Sequence, residues 1–123
     1  MKPGKVALLR FPHANLVTGK LRPVLLIARV PGPYYDWLVA MISTNLEQAL
    51  PGFDEVITRQ DYDFIASGLK EESAIRIGRL AVAEAGLLLG EIGEISSERL
   101  NRIQKRIADW IMGVQEFRSE VNR

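Results

Sequence analysis

Three apolar runs open this chain, and the first two are cut short by proline. Lys5-Val6-Ala7-Leu8-Leu9-Arg10-Phe11 stops at Pro12, and the run from Arg22 to Val30 stops at Pro31-Gly32-Pro33. Trp37-Leu38-Val39-Ala40-Met41-Ile42-Ser43-Thr44 ends in hydroxyl side chains and is followed by a turn at Pro51-Gly52. Proline holds its own φ and has no N–H to donate, so none of these runs extends into a long helix. Short apolar runs between breakers predict mostly buried strands.

Two more strands follow. Asp54-Glu55-Val56-Ile57-Thr58-Arg59 predicts an edge strand, polar enough to discourage unwanted pairing. Ser73 to Val82, with Ile75, Ile77 and Leu80, predicts another. Leu87-Leu88-Leu89, set among Gly86, Gly90 and Gly93, fits either a short strand or a broken helix. The tail differs in kind. Leu100, Ile103, Ile107, Trp110, Val114, Phe117 and Val121 fall at 3-4-3-4 spacing, which lays one stripe along a helix. Ser96 is a good N-cap and Glu98 places an acid in the first turn, so a helix over 97–121 is predicted, with Gly113 weakening its middle. Several short strands and then one helix predict a mainly β fold, a small barrel or half-barrel over about 4–95 carrying a C-terminal helix.

At 123 residues the chain is expected to be one domain, 1–123, burying roughly two thirds of its unfolded surface. It has no cysteine, which excludes disulfides, thiolate nucleophiles and Cys-based zinc sites. No apolar stretch approaches the roughly 20 residues of a membrane span, and the N-terminus is a poor signal peptide; a cytoplasmic protein with no membrane partner is expected. The net charge is +1, yet residues 1–40 carry six Lys/Arg against one acid. Residues 41–96 reverse this, with four against ten. An electropositive face on a nearly neutral protein follows.

The usual catalytic signatures are absent. There is one histidine, His13, and no Glu-x-x-His or His-x-x-x-His frame, Gly-x-Ser-x-Gly elbow, Walker loop or dinucleotide fingerprint; neither cofactor nor metal is expected. Asp54-Glu55, Asp61/Asp63 and Glu71-Glu72 sit in polar, turn-like stretches and are expected to be solvated surface. What remains is Gly19-Lys20-Leu21-Arg22-Pro23 ahead of a strand, Ser43 and Thr44 closing one, and Arg76 within another. A guanidinium matches phosphate oxygens better than an ammonium does. Brought to one rim, such a set suits RNA cleavage in which the substrate's own 2′-OH attacks the adjacent phosphorus. The protein must then stabilise charge on the phosphoryl oxygens and move two protons. His13 is the one group whose unperturbed pKa lies near neutrality.

These features, in this order, resemble the MazF/PemK-type toxins. The opening Val6-Ala7-Leu8-Leu9-Arg10-Phe11-Pro12 and Gly19-Lys20-Leu21-Arg22-Pro23-Val24-Leu25-Leu26-Ile27 are similar to that family's first two strands. Val39-Ala40-Met41-Ile42-Ser43-Thr44 looks like its strand ending in a hydroxyl pair. Gly68-Leu69-Lys70 with Ser73-Ala74-Ile75-Arg76-Ile77, and Ile92-Gly93-Glu94-Ile95-Ser96, resemble its later elements. The resemblance implies an SH3-like barrel in a homodimer, a metal-independent endoribonuclease acting on single-stranded RNA, and a cognate antitoxin as partner. It implies catalytic roles for Arg22, for Ser43 with Thr44 beside it, and for Arg76; the residues themselves add His13 as an expected acid or base and RNA contacts from Lys20, Arg22 and Asn45. Three features depart: residues 12–21 hold no acid where many members carry a Glu, Gly78 stands where some carry an Asp, and His13 lies in the right loop but at a different spacing from the His that some members use. The departures leave a second expectation on the same fold, a non-enzymatic toxin of the CcdB gyrase-poison type or an inactive binding module.

Overall fold

The computed structural model describes residues 1–10 and 20–114. Six strands form one antiparallel sheet: β1 (Lys5–Arg10), β2 (Leu21–Arg29), β3 (Trp37–Ser43), β4 (Glu55–Ile57), β5 (Ser73–Ala83) and β6 (Leu88–Glu94). Their spatial order is β4-β5-β3-β2-β1-β6. The bounds of β1 to β3 fall within a residue or two of expectation, and β4 lies at the edge as its polarity implied. The Leu87–Leu89 ambiguity resolves as a 3-10 turn over Ala85–Leu87 that runs into β6.

The apolar runs are buried on both faces, which is why they read as continuous rather than alternating. On one face Leu25, Ile27, Ala40, Ile42, Ile75 and Ile77 pack beneath the C-terminal helix α2 (Ser97–Met112) through Ile103 and Ile107. On the other, Ala7, Leu9, Val24, Leu26, Trp37, Val39, Ala83 and Leu88 form a second cluster. The first is called the helix face below and the second the open face, because α2 lies only on the first.

The sheet is not a hydrogen-bonded barrel. Among the described residues its end strands β4 and β6 do not pair. A short helix, α1 (Phe64–Ser67), bridges the gap by setting backbone against backbone. A Cβ on Gly93 would meet the Ser67 and Ala66 main chain, and one on Gly68, whose φ is 75°, would meet Ile92 main chain. Only glycine permits this approach.

The helix begins as expected, with the Ser96 hydroxyl accepting from the Arg99 amide at 3.1 Å. It ends early. Gly113 adopts φ 70° as a left-handed cap instead of weakening a longer helix, and residues 115–121 of the expected span lie outside the described residues. The stripe is likewise buried only in part. Ile103 and Ile107 are in the core, whereas Trp110 is 42% exposed, edge-on to Phe53, and Val114 is 71% exposed.

The acidic pairs are also not simply solvated. Asp54, Glu55 and Asp63 are buried, and Arg99 is buried with them at 6% exposure. The Arg99 guanidinium donates from Nε to Asp63 at 2.9 Å and from Nη1 to Glu55 at 2.9 Å and to the Val56 carbonyl at 3.2 Å. Arg102 and Arg106 close on Glu55 from the next turns of α2. These acids are far in sequence from their cations, so local polarity says nothing about their burial.

Candidate active site

Strand register sorts the candidate residues by face. Leu9 pairs with Arg22, Val24 with Met41, Met41 with Arg76, and Ser43 with Ala74. Paired residues share a face, and so do residues two apart along a strand. Arg22, Ser43 and Arg76 therefore all lie on the open face. Continuing the β2–β3 register two residues beyond Val24↔Met41 sets Arg22 level with Ser43 on the neighbouring strand, roughly 5 Å away. Arg76 stands diagonally from Ser43, at roughly 7–8 Å between backbones. The convergence expected at one rim is thus met by these three residues.

Arg22 is exposed and has no hydrogen bond or ion pair among the described residues. Pro23 behind it keeps the backbone extended as the strand begins. Lys20 precedes it, exposed and likewise unpaired among the described residues. The Ser43 hydroxyl oxygen accepts from the Asn45 amide at 3.0 Å, which fixes the oxygen and leaves the O–H to donate outward. Asn45 uses its side-chain oxygen to cap a 3-10 turn over Leu46–Gln48, accepting from the Glu47 amide at 3.2 Å. Its amide nitrogen is the group left to meet a ligand.

Thr44 does not join this set. It lines an apolar groove of about 360 Å³ with Leu8, Pro23, Leu69 and Ile92, on the helix-face side of the rim. Residues 43 and 44 point to opposite sides because the strand alternates, so the hydroxyl pair divides between two surfaces. His13 lies outside the described residues.

Arg76 is half-buried and engaged. Its Nε donates to Asp54 at 3.1 Å and its Nη1 to Gln48 at 3.1 Å, leaving Nη2 unbonded among the described residues. Asp54 is held in turn by the Leu50 amide at 2.9 Å and the Ile77 amide at 2.8 Å. Gln48 and Asp54 were not singled out from sequence. The sequence places Asp54 at the start of an expected edge strand, and its polarity alone pointed it to solvent. Arg79, exposed, lies beside Arg76 in a shallow cavity of about 280 Å³ floored by Leu50 and Phe53. Chemically, the described residues of this rim offer the uncompensated guanidinium of Arg22, the hydroxyl of Ser43 and the fixed, charge-balanced guanidinium of Arg76, with exposed Arg79 nearby. That is a set of donors for the oxygens of a phosphodiester.

Solved structures share the fold, and two of them serve as comparisons. The Mycobacterium tuberculosis toxin MazF-mt6 superposes with a TM-score of 0.62 at 15% identity, covering 91% of this chain and 99% of that one. An endoribonuclease in complex with its cognate antitoxin, from a mycobacterial species, superposes with a TM-score of 0.65 at 12% identity, covering 95% and 99%. No curated protein matches the sequence. Residues 2–111 match the family described as PemK-like, MazF-like toxin of type II toxin–antitoxin systems, and the chain belongs to that family.

Proposed function

We propose that this toxin is an endoribonuclease that cuts single-stranded RNA without a metal, by attack of the 2′-OH on the adjacent phosphorus. The observation that carries the reading is Arg22: exposed, unpaired among the described residues, and level with an outward-pointing Ser43 hydroxyl on the face that also bears Arg76. As the 2′-oxygen bonds to phosphorus, negative charge builds on the non-bridging oxygens. Arg22 meets that charge, and Ser43 donates a hydrogen bond to one of the same oxygens. Arg76 orients the phosphate through Nη2. It does not give up a proton, because a guanidinium stays charged throughout the accessible pH range.

The 5′-oxygen leaves as the cyclic phosphate forms. One proton departs the 2′-OH and another reaches the 5′-oxygen, and His13 is the group we assign to that transfer. Lys20 and the Asn45 amide follow the RNA backbone. Two copies of the chain form the working toxin, and a cognate antitoxin holds it inactive. The two neighbours at 15% and 12% identity support the fold on which this reading is built.

The test uses purified, antitoxin-free protein, a long single-stranded RNA and EDTA. Fragments ending in 2′,3′-cyclic phosphate, lost on Arg22→Ala, support the reading. Intact RNA with correctly folded protein overturns it, and blocked DNA supercoiling in the same preparation selects the gyrase-poison alternative.

A further inference from the structure

We infer that the loop joining β3 to β4, residues 44–54, is a holder for Arg76, in which Gln48 and Asp54 are positioning residues for the cleavage proposed above. The inference rests on that reading. Four observations carry it.

The Asp54 side chain is only 2% exposed, and its two oxygens already accept from the Leu50 amide, the Ile77 amide and Arg76 Nε. A carboxylate so enclosed neither touches RNA nor trades protons with it. Its influence on a substrate runs through Arg76.

Gln48 is exposed and reaches Arg76 Nη1 at 3.1 Å. It closes the 3-10 turn that begins at Asn45, the residue whose amide also fixes the Ser43 hydroxyl. Hydroxyl and guanidinium are therefore keyed to one short loop, and a shift of that loop moves both.

The backbone of β5 does not by itself aim Arg76. The β3–β5 register breaks between Ala40↔Leu80 and Met41↔Arg76, and such irregularities re-aim side chains. Within the break, Gly78 contributes no side chain to hold its neighbour in place. A long side chain at a register break needs external partners to hold one direction.

Finally, the charge of Arg76 is matched by Asp54 at 3.1 Å. Arg76 thus supplies directed donors, while Arg22 supplies net charge. Holding a directed donor within a fraction of an ångström is what a positioning pair contributes to rate.

The test compares wild type, Gln48→Ala, Gln48→Glu, Arg76→Ala and the double variant Gln48→Ala/Arg76→Ala on one RNA oligonucleotide, with melting temperatures alongside. Gln48→Ala is expected to lower kcat by about tenfold with little change in KM. Its melting temperature should stay at the wild-type value, because Gln48 is at the surface. Gln48→Glu, which keeps the acceptor oxygen, should restore kcat. In the Arg76→Ala background, Gln48→Ala should cost nothing further. A Gln48→Ala enzyme with wild-type kcat, failure of Gln48→Glu to rescue, or an additive double variant overturns the inference. A second readout is independent of activity. The Arg76 Nε–H of the wild-type protein, held by Asp54, should be resolved and protected from exchange, while the Nη1 protons held by Gln48 should lose their protection on Gln48→Ala. Wild-type protein that leaves RNA intact refutes the proposed function. In that case an exposed, rapidly exchanging Arg76 Nε–H would also refute the holder.

Discussion

Replacing Arg99 by methionine should destabilise this protein far more than loss of an ordinary ion pair. Methionine keeps the apolar stem and its packing under the sheet, so the perturbation is electrostatic. Arg99 is 6% exposed and makes four hydrogen bonds, two to Asp63, one to Glu55 and one to the Val56 carbonyl. Its loss strands Asp63, which among the described residues then retains Ser96, whereas Glu55 keeps Arg102 and Arg106. Removing one member of a buried pair costs about 3–5 kcal/mol. For a chain of this size that corresponds to a Tm fall of at least about 10 °C.

The pH dependence sharpens the test. Burial would raise the Asp63 carboxyl, but Arg99 and the Ser96 amide outweigh it and hold the group below its ordinary 3.8. A carboxyl lowered in the folded state stabilises the fold above its unfolded value, and that contribution is lost as pH falls through the folded one. In Arg99→Met, burial acts without the cation, so the variant is relieved when Asp63 is protonated. Urea melts followed by circular dichroism should therefore show a large gap at neutral pH that narrows toward about pH 3.5. A deficit under about 1 kcal/mol, the range of exposed pairs, or one that does not change with pH, would refute the reasoning.

Gly93→Ala should destabilise by about 1–3 kcal/mol in thermal melts, because its Cβ meets the Ser67 main chain, whereas Gly86→Ala, with open space around it, should fall within about 0.5 kcal/mol of wild type. Arg22→Ala should slow RNA cleavage by about 10²–10³-fold with an unchanged melting temperature, since the side chain is exposed and unpaired among the described residues; a parallel loss of stability would contradict this. Lys20→Ala should lower the slope of log affinity against log salt by about 0.7 in fluorescence anisotropy with single-stranded RNA, equally for unrelated sequences.

What could be read from the chain beforehand divides along a physical line. Features governed by a residue and its near neighbours were legible. Proline ended β1 and β2 close to where it stands, Ser96 capped α2, and the order of Arg22, Ser43 and Arg76 along the chain led to three groups on one face. Features governed by distant partners were not. A 3-4 stripe continues past Gly113 in the sequence, and nothing in the spacing distinguishes a glycine inside a helix from one capping it with φ 70°. Thr44 looked equivalent to Ser43 until the last turn of the strand divided them.

Asp54 and Glu55 show the division most clearly. Next to each other at an edge strand, they read as a solvated pair. Strand alternation instead sends them to opposite sides of the sheet. Asp54 reaches Arg76, 22 residues on, and Glu55 reaches Arg99, 44 residues on. One carboxylate steadies a guanidinium at the candidate active site, and the other anchors the helix that covers the opposite face. Neither burial is visible without the sheet order that sets β4 beside β5. The same two residues tie the rigidity of the site to the docking of α2. Loosening Arg99 should therefore slow cleavage as well as lower stability, and the rate should fall at temperatures where the fold is still intact. An Arg99→Met protein that cuts RNA at the wild-type rate well below its melting temperature would show that the two faces of β4 act independently.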